Sequence, residues 1–80
     1  MNIRSLAPNQ TEVELANHNY VFISYSTPVA AFVVGEGVWR EDSSSSRTTA
    51  KHITRWINAN FPSATVTKVP REDIKALLPD

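Results

Sequence analysis

Three cations recur at helical spacing in the second half of the chain: Arg47, Lys51 and Arg55 stand at i, i+4 and i+8. Aligned over two turns of a helix, they could neutralise successive phosphates or lie against an acidic partner. A solvated helix face usually mixes signs to gain i,i+4 pairs. This one carries no acid, and Thr54 and Asn58 stand beside the cations. At the start of the same segment, Ser46-Arg47-Thr48-Thr49 gathers three hydroxyls and a guanidinium where unpaired backbone N–H groups favour an anion. Arg47 opposes the helix dipole there by roughly 0.3–1 kcal/mol, a mild violation that suggests a use. A plainer reading competes: Ser46 caps the helix, Thr49 packs beneath it and Arg47 points to water. The segment also lacks the glycines of a phosphate loop.

A second group is aromatic. Tyr20, Phe22, Tyr25, Phe32 and Trp39 fall on consecutive strands. On an open sheet face beside cations, Tyr20, Phe22 and Tyr25 would stack unpaired bases; on a covered face they are core. Trp56 belongs to the apolar stripe of its helix and reads as core. For catalysis the pattern is thin. His52 lies one turn from Thr48, and Ser24, Ser26 and Thr27 are nucleophiles in principle, but no spacing supplies a base and an orienting third group in one cleft. Glu12 and Glu14 read as solvated edge charges, and His18, between two asparagines, as a turn residue. With no cysteine and two histidines, a thiolate or zinc site is not expected. The expectation is a non-enzymatic chain without metal or cofactor.

These residues need elements to position them. Thr11 to Ala16 alternates, with Val13 and Leu15 on one side and Glu12 and Glu14 on a wet one. Asn17-His18-Asn19 supplies turn chemistry, and Tyr20 to Tyr25 forms a second strand. Thr27-Pro28 interrupts, Val29 to Val34 is a third strand, Gly35-Glu36-Gly37 a hairpin turn, and Val38 to Arg40 a fourth strand. Ile3 to Leu6 is a candidate edge strand. Glu41 to Ser46 is a polar connector, its Ser43-Ser44-Ser45-Ser46 run either a phosphorylation site or a loop that ends in a cap. The main helix runs from about Arg47 to Ala59, buried through Ala50, Ile53, Trp56 and Ile57. Thr65 to Val69 alternates as a fifth strand. Pro70-Arg71-Glu72-Asp73 opens a last short helix that buries Ile74, Leu77 and Leu78.

The expected fold is α+β, one domain over residues 1–80, with an antiparallel sheet of four to five strands packed by one main helix and a short C-terminal helix. The middle strands are apolar on both faces, so either the C-terminal segment or a second subunit covers the far face. The reading favours the subunit and hence a homodimer or higher homo-oligomer, built on the sheet face or its edge. Net charge is zero, yet Ser43 to Arg71 holds five cations and no acid, and Ser5 to Asp42 holds five acids against Arg40 alone. That polarity suits an anion-binding face or subunits meeting acid to base. No apolar run reaches the roughly 20 residues of a membrane span and the N-terminus lacks a signal pattern, so a cytoplasmic protein is expected.

The segments Ser24-Tyr25-Ser26-Thr27-Pro28-Val29-Ala30 and Ser46-Arg47-Thr48-Thr49-Ala50-Lys51-His52-Ile53 resemble a family of short, largely uncharacterised bacteriophage proteins. Its members pair an SYxTxVA-like strand with an S-x-T-T-x-K/R-H-I helix start. The likeness covers Ile23 to Ile57, and Ser44 and Ser45 stand where members often carry aromatics. It implies phage origin, and with it the cytoplasm of an infected bacterium. Four antiparallel strands followed by a helix are also similar, at the level of fold, to whirly-type single-stranded DNA binders. The expected function is that of a phage accessory protein binding nucleic acid, single strands before duplex. Arg47, Lys51 and Arg55 would hold phosphates, Ser46, Thr48 and Thr49 would cap one, and Tyr20, Phe22 and Tyr25 would stack bases. The alternatives are an inhibitor of a host defence or transcription complex, and capture of a small phosphorylated ligand at the helix start.

Overall fold

The alternating and β-branched segments of the first half zip into consecutive hairpins. The computed structural model describes residues 1–42 and 46–79. Its strands are β1 (Asn2–Ala7), β2 (Gln10–Glu14), β3 (Tyr20–Ser24), β4 (Thr27–Val33), β5 (Gly37–Glu41) and β6 (Val66–Val69). They form one six-stranded sheet in sequence order. Helix α1 (Arg47–Asn60) joins β5 to β6, and α2 (Arg71–Lys75) follows. The fold is α+β, with one main and one short helix. The sheet exceeds the expected four to five strands because the candidate edge segment and the late strand both pair.

It is also mixed rather than wholly antiparallel. β1 to β5 pair antiparallel, but β6 runs parallel to β5. A helix between two strands returns the chain to the end where it started, so the second strand must run the same way as the first. Gly37 makes this junction possible. Its φ is +97°, and a Cβ there would lie 2.7 Å from the Thr65 carbonyl oxygen, which accepts the Val38 N–H at 2.8 Å.

Other local features depart from the sequence reading. Pro28 lies inside β4 opposite Ile23, where the register shifts against Phe22 and Ala30; this bulge accommodates a residue without a ladder donor. In the β2–β3 turn His18, not an asparagine, takes the left-handed conformation at φ 68°. The asparagines act through their side chains: Asn17 Oδ1 accepts from Asn19 N at 3.1 Å, and Asn19 Oδ1 accepts from Val34 N at 2.9 Å. In α1, Thr49 is buried with Ile53, Trp56 and Ile57, and Ala50 only half-buried. Glu41 is the buried last residue of β5 rather than part of a polar connector. Ser43, Ser44 and Ser45, the remainder of that connector, lie outside the described residues.

The two sheet faces carry separate cores. Under α1, Phe22, Val29, Ala30 and Val38 meet Ile53, Trp56 and Ile57, with Tyr20, Phe32 and Phe61 packed around them. On the other face Val13, Leu15, Val21, Ala31 and Val33 surround Ile74, with Trp39, Val69, Leu77 and Leu78 at the margin. Each fully buried side chain of this size stabilises the fold by roughly 1.5–3 kcal/mol. The C-terminal segment therefore covers the far face, where the sequence reading preferred a second subunit. Five helical residues suffice because Ile74 is completely buried and holds them down.

Candidate nucleic-acid interface

Helix α1 begins as its sequence dictates. Ser46 is the N-cap, its Oγ accepting from Thr49 N at 3.0 Å and donating to Thr49 Oγ1 at 3.0 Å. Two of the three hydroxyls at the helix start are thus engaged with each other, and Thr49 is buried. Thr48 and Arg47 remain exposed. With Thr49, Ile53, Trp56 and Ile57 turned to the sheet, Arg47, Lys51, Thr54, Arg55 and Asn58 form the outermost face of the helix, all exposed. Among the described residues, none of Arg47, Lys51 and Arg55 makes an ion pair.

Strand register brings further cations to the same side. Val38 belongs to the α1 core and Trp39 to the opposite one, so Arg40 and its β6 neighbour Lys68 face α1. No helical spacing in the sequence points to these two; only the parallel pairing of β5 and β6 joins them. Acids are handled differently. Glu12 is 3% exposed, not solvated: its cross-strand partner is Phe22, beneath α1. Its Oε1 accepts from Trp56 Nε1 at 2.9 Å and its Oε2 from Arg4 at 2.5 Å. The Glu12 carboxylate raises the Arg4 pKa above its ordinary value, by hydrogen bonding first and charge second. On the far face Glu41, also buried, accepts from Arg71 Nε at 2.8 Å and from the same guanidinium a second time. Both cations come from outside the acidic stretch. The acidic stretch is partly neutralised; the basic one gives up Arg71 to Glu41 but keeps Arg47, Lys51 and Arg55 exposed on α1.

The aromatics divide. Phe22 is completely buried and stacked on Trp56 at 5.2 Å, which removes it from any base-stacking role. Tyr20 is half-buried between Phe32 and Phe61, at 6.4 and 6.1 Å. Trp39 faces the other core. With both faces of the central strands covered, the open-sheet stacking of the whirly-like analogy has no surface on β2–β5. Tyr25 alone of the three is exposed, and it does not continue the strand alternation: at φ 59° its backbone is left-handed, which turns its ring onto His52, 6.0 Å away at 27°. His52 Nδ1 in turn meets Ser24 Oγ at 3.0 Å. Ser24 is 2% exposed, so this hydroxyl orients a ring instead of facing a substrate.

A family match extends over residues 1–76, spanning all six strands and both helices. The chain belongs to the family of unknown function DUF8033. No curated protein and no solved structure matches this DUF8033 chain. Among its described residues there is no cluster of three or more histidine, cysteine, aspartate or glutamate side chains able to hold a metal, and no helix is long and apolar enough to cross a membrane.

Proposed function

We propose that this DUF8033 chain is a small non-enzymatic phage accessory protein that binds nucleic acid, single strands before duplex, in the cytoplasm of an infected bacterium. The observation that carries the reading is the one-sided charge of α1. Arg47, Lys51 and Arg55 project from its outer face without an acid among them, and Arg40 and Lys68 stand on the same side of the sheet. Neutralising phosphates is the chemistry such a face serves best. Single strands rank first because the exposed Tyr25 stacks on His52, the chain neighbour of Lys51, and unpaired bases offer π faces that paired ones hide. Phosphate capture at the helix start alone has less support, since Ser46 and Thr49 already satisfy each other.

Anisotropy titrations of a labelled single strand against salt test the reading. Affinity should fall steeply with salt, and Arg47→Ala and Lys51→Ala should each weaken binding and lower the slope by about one. Thr49→Val should act on folding rather than on binding. Unchanged affinity and slope in both basic-residue variants overturn the proposal. Absence of any nucleic-acid binding, with specific association to a host protein, would favour the inhibitor reading. A melting temperature raised by a nucleotide alone would favour a phosphorylated ligand.

We also propose self-association, now through the edge strand β1 and not the covered face. Ile3 and Leu6 are exposed there beside an unpaired backbone edge. Light scattering at high micromolar concentration should exceed the 8.9 kDa of one chain; a value equal to it would overturn the idea.

A further inference from the structure

The β3–β4 turn spends conformational freedom on an aromatic ring that gains little burial. Tyr25 is 55% exposed, yet its backbone sits at φ 59°, a region that bulky residues avoid. The turn is held there by a 2.7 Å hydrogen bond from Tyr25 N–H to the Asn9 carbonyl, and Asn9 is itself left-handed at φ 63°. Beneath the ring, the buried Ser24 hydroxyl fixes the His52 imidazole, which backs Tyr25 in a near-parallel stack. The two-residue loop between Ser24 and Thr27 calls for a positive φ at its first position, where glycine or asparagine is usual; an exposed and oriented aromatic in that place points to function. His52 stands next to Lys51, with Thr48 and Arg55 one turn away along α1. The ring therefore borders the cationic face.

We propose that Tyr25, backed by His52, is a stacking platform for one unpaired nucleobase of a strand whose phosphates lie along Arg47, Lys51 and Arg55. This rests on the nucleic-acid reading above and adds a base contact to it. Aromatic platforms of this kind bind any base, because every base has a π face. Ser24 and His52 are positioning residues: they set the angle of the ring and do not touch the strand's phosphates.

The test uses two probes of equal length and charge, an oligothymidylate of about twelve nucleotides and a matching strand of abasic sites. The full chain should prefer the base-bearing strand by about tenfold. Tyr25→Ala should erase that preference while leaving affinity for the abasic strand unchanged, and Tyr25→Phe should keep it. Tyr25→Gly supplies the second readout. Glycine adopts this backbone freely, so its melting temperature should hold or rise while the preference is lost. Equal binding of both probes by the unmodified chain overturns the platform and leaves the phosphate contacts standing. Binding of neither at low salt overturns both proposals together. A Tyr25→Gly variant that melts well below the parent assigns the ring a structural role and overturns the platform, as does a preference that survives Tyr25→Ala.

Discussion

The two sides of the sheet are packed by different chemistry. Under α1 the packing is aromatic: Phe22 stacks on Trp56, and Phe61 lies flat on Phe32 at 4.5 Å and edge-on to Trp56. Under α2 it is aliphatic, with Val13, Leu15, Val21 and Val33 closing on Ile74. The first helix has fourteen residues and a side-chain cap; the second has five and none. Each side also buries one carboxylate against an arginine, Glu12 against its hairpin neighbour Arg4 and Glu41 against Arg71 thirty residues on. A helix with its own cap and stripe can organise a layer, whereas a five-residue helix is organised by the layer it joins.

The largest effect that would sharpen this contrast is expected from Trp56→Ala. It removes the central ring of the aromatic layer and the indole N–H that serves Glu12, at a cost of about 4 kcal/mol in urea denaturation. For a domain of this size that is most of the stability. Ile74→Ala should cost about 3 kcal/mol, through a cavity at the centre of the aliphatic layer. A loss under about 1 kcal/mol would mean that α2 frays in solution, and hydrogen exchange at the α2 amides would then be fast.

The ion pairs should rank next, and unequally. Arg71 is 39% exposed and Arg4 65%, so solvent screens the Arg4–Glu12 pair more. Arg71→Ala is expected to cost on the order of 2 kcal/mol and Arg4→Ala less. The reverse order would break the comparison by showing that the aromatic side depends more on its charge pair. Ser46→Ala is the smallest, about 1 kcal/mol from the lost cap, and should leave the α2 side untouched.

Much of the local structure was legible in the residues. The α1 stripe and its Ser46 cap follow from spacing and capping chemistry, and the apolar stripe of Ile74, Leu77 and Leu78 follows from periodicity. Alternation at Glu12 and Glu14 is also legible, and Val13 and Leu15 on its apolar side are buried; the other side is not wet as expected, because α1 covers Glu12. Alternation tells which residues share a face and not which face is covered. Burial of Glu12 required a partner with an N–H, and that partner, Trp56, is brought to it only by the fold. In the candidate site, the outward stripe of Arg47, Lys51 and Arg55 was visible because i,i+4 spacing is local, whereas Arg40 and Lys68 were not.

The sequence by itself determined a set of elements: a capped amphipathic helix, strands rich in β-branched and aromatic residues, glycines and asparagines at turns, and a cationic stripe without acids. These depend on neighbours within a few residues, whose geometry the backbone sets. Tertiary structure alone decided that β6 runs parallel to β5, that α2 and not a second chain covers the far face, that two acids are paired and buried, and that Tyr25 leaves its strand to stack on His52. Each of these depends on groups distant in sequence meeting across the sheet. Such meetings are selected by burial and charge pairing in the assembled whole, which no local pattern encodes.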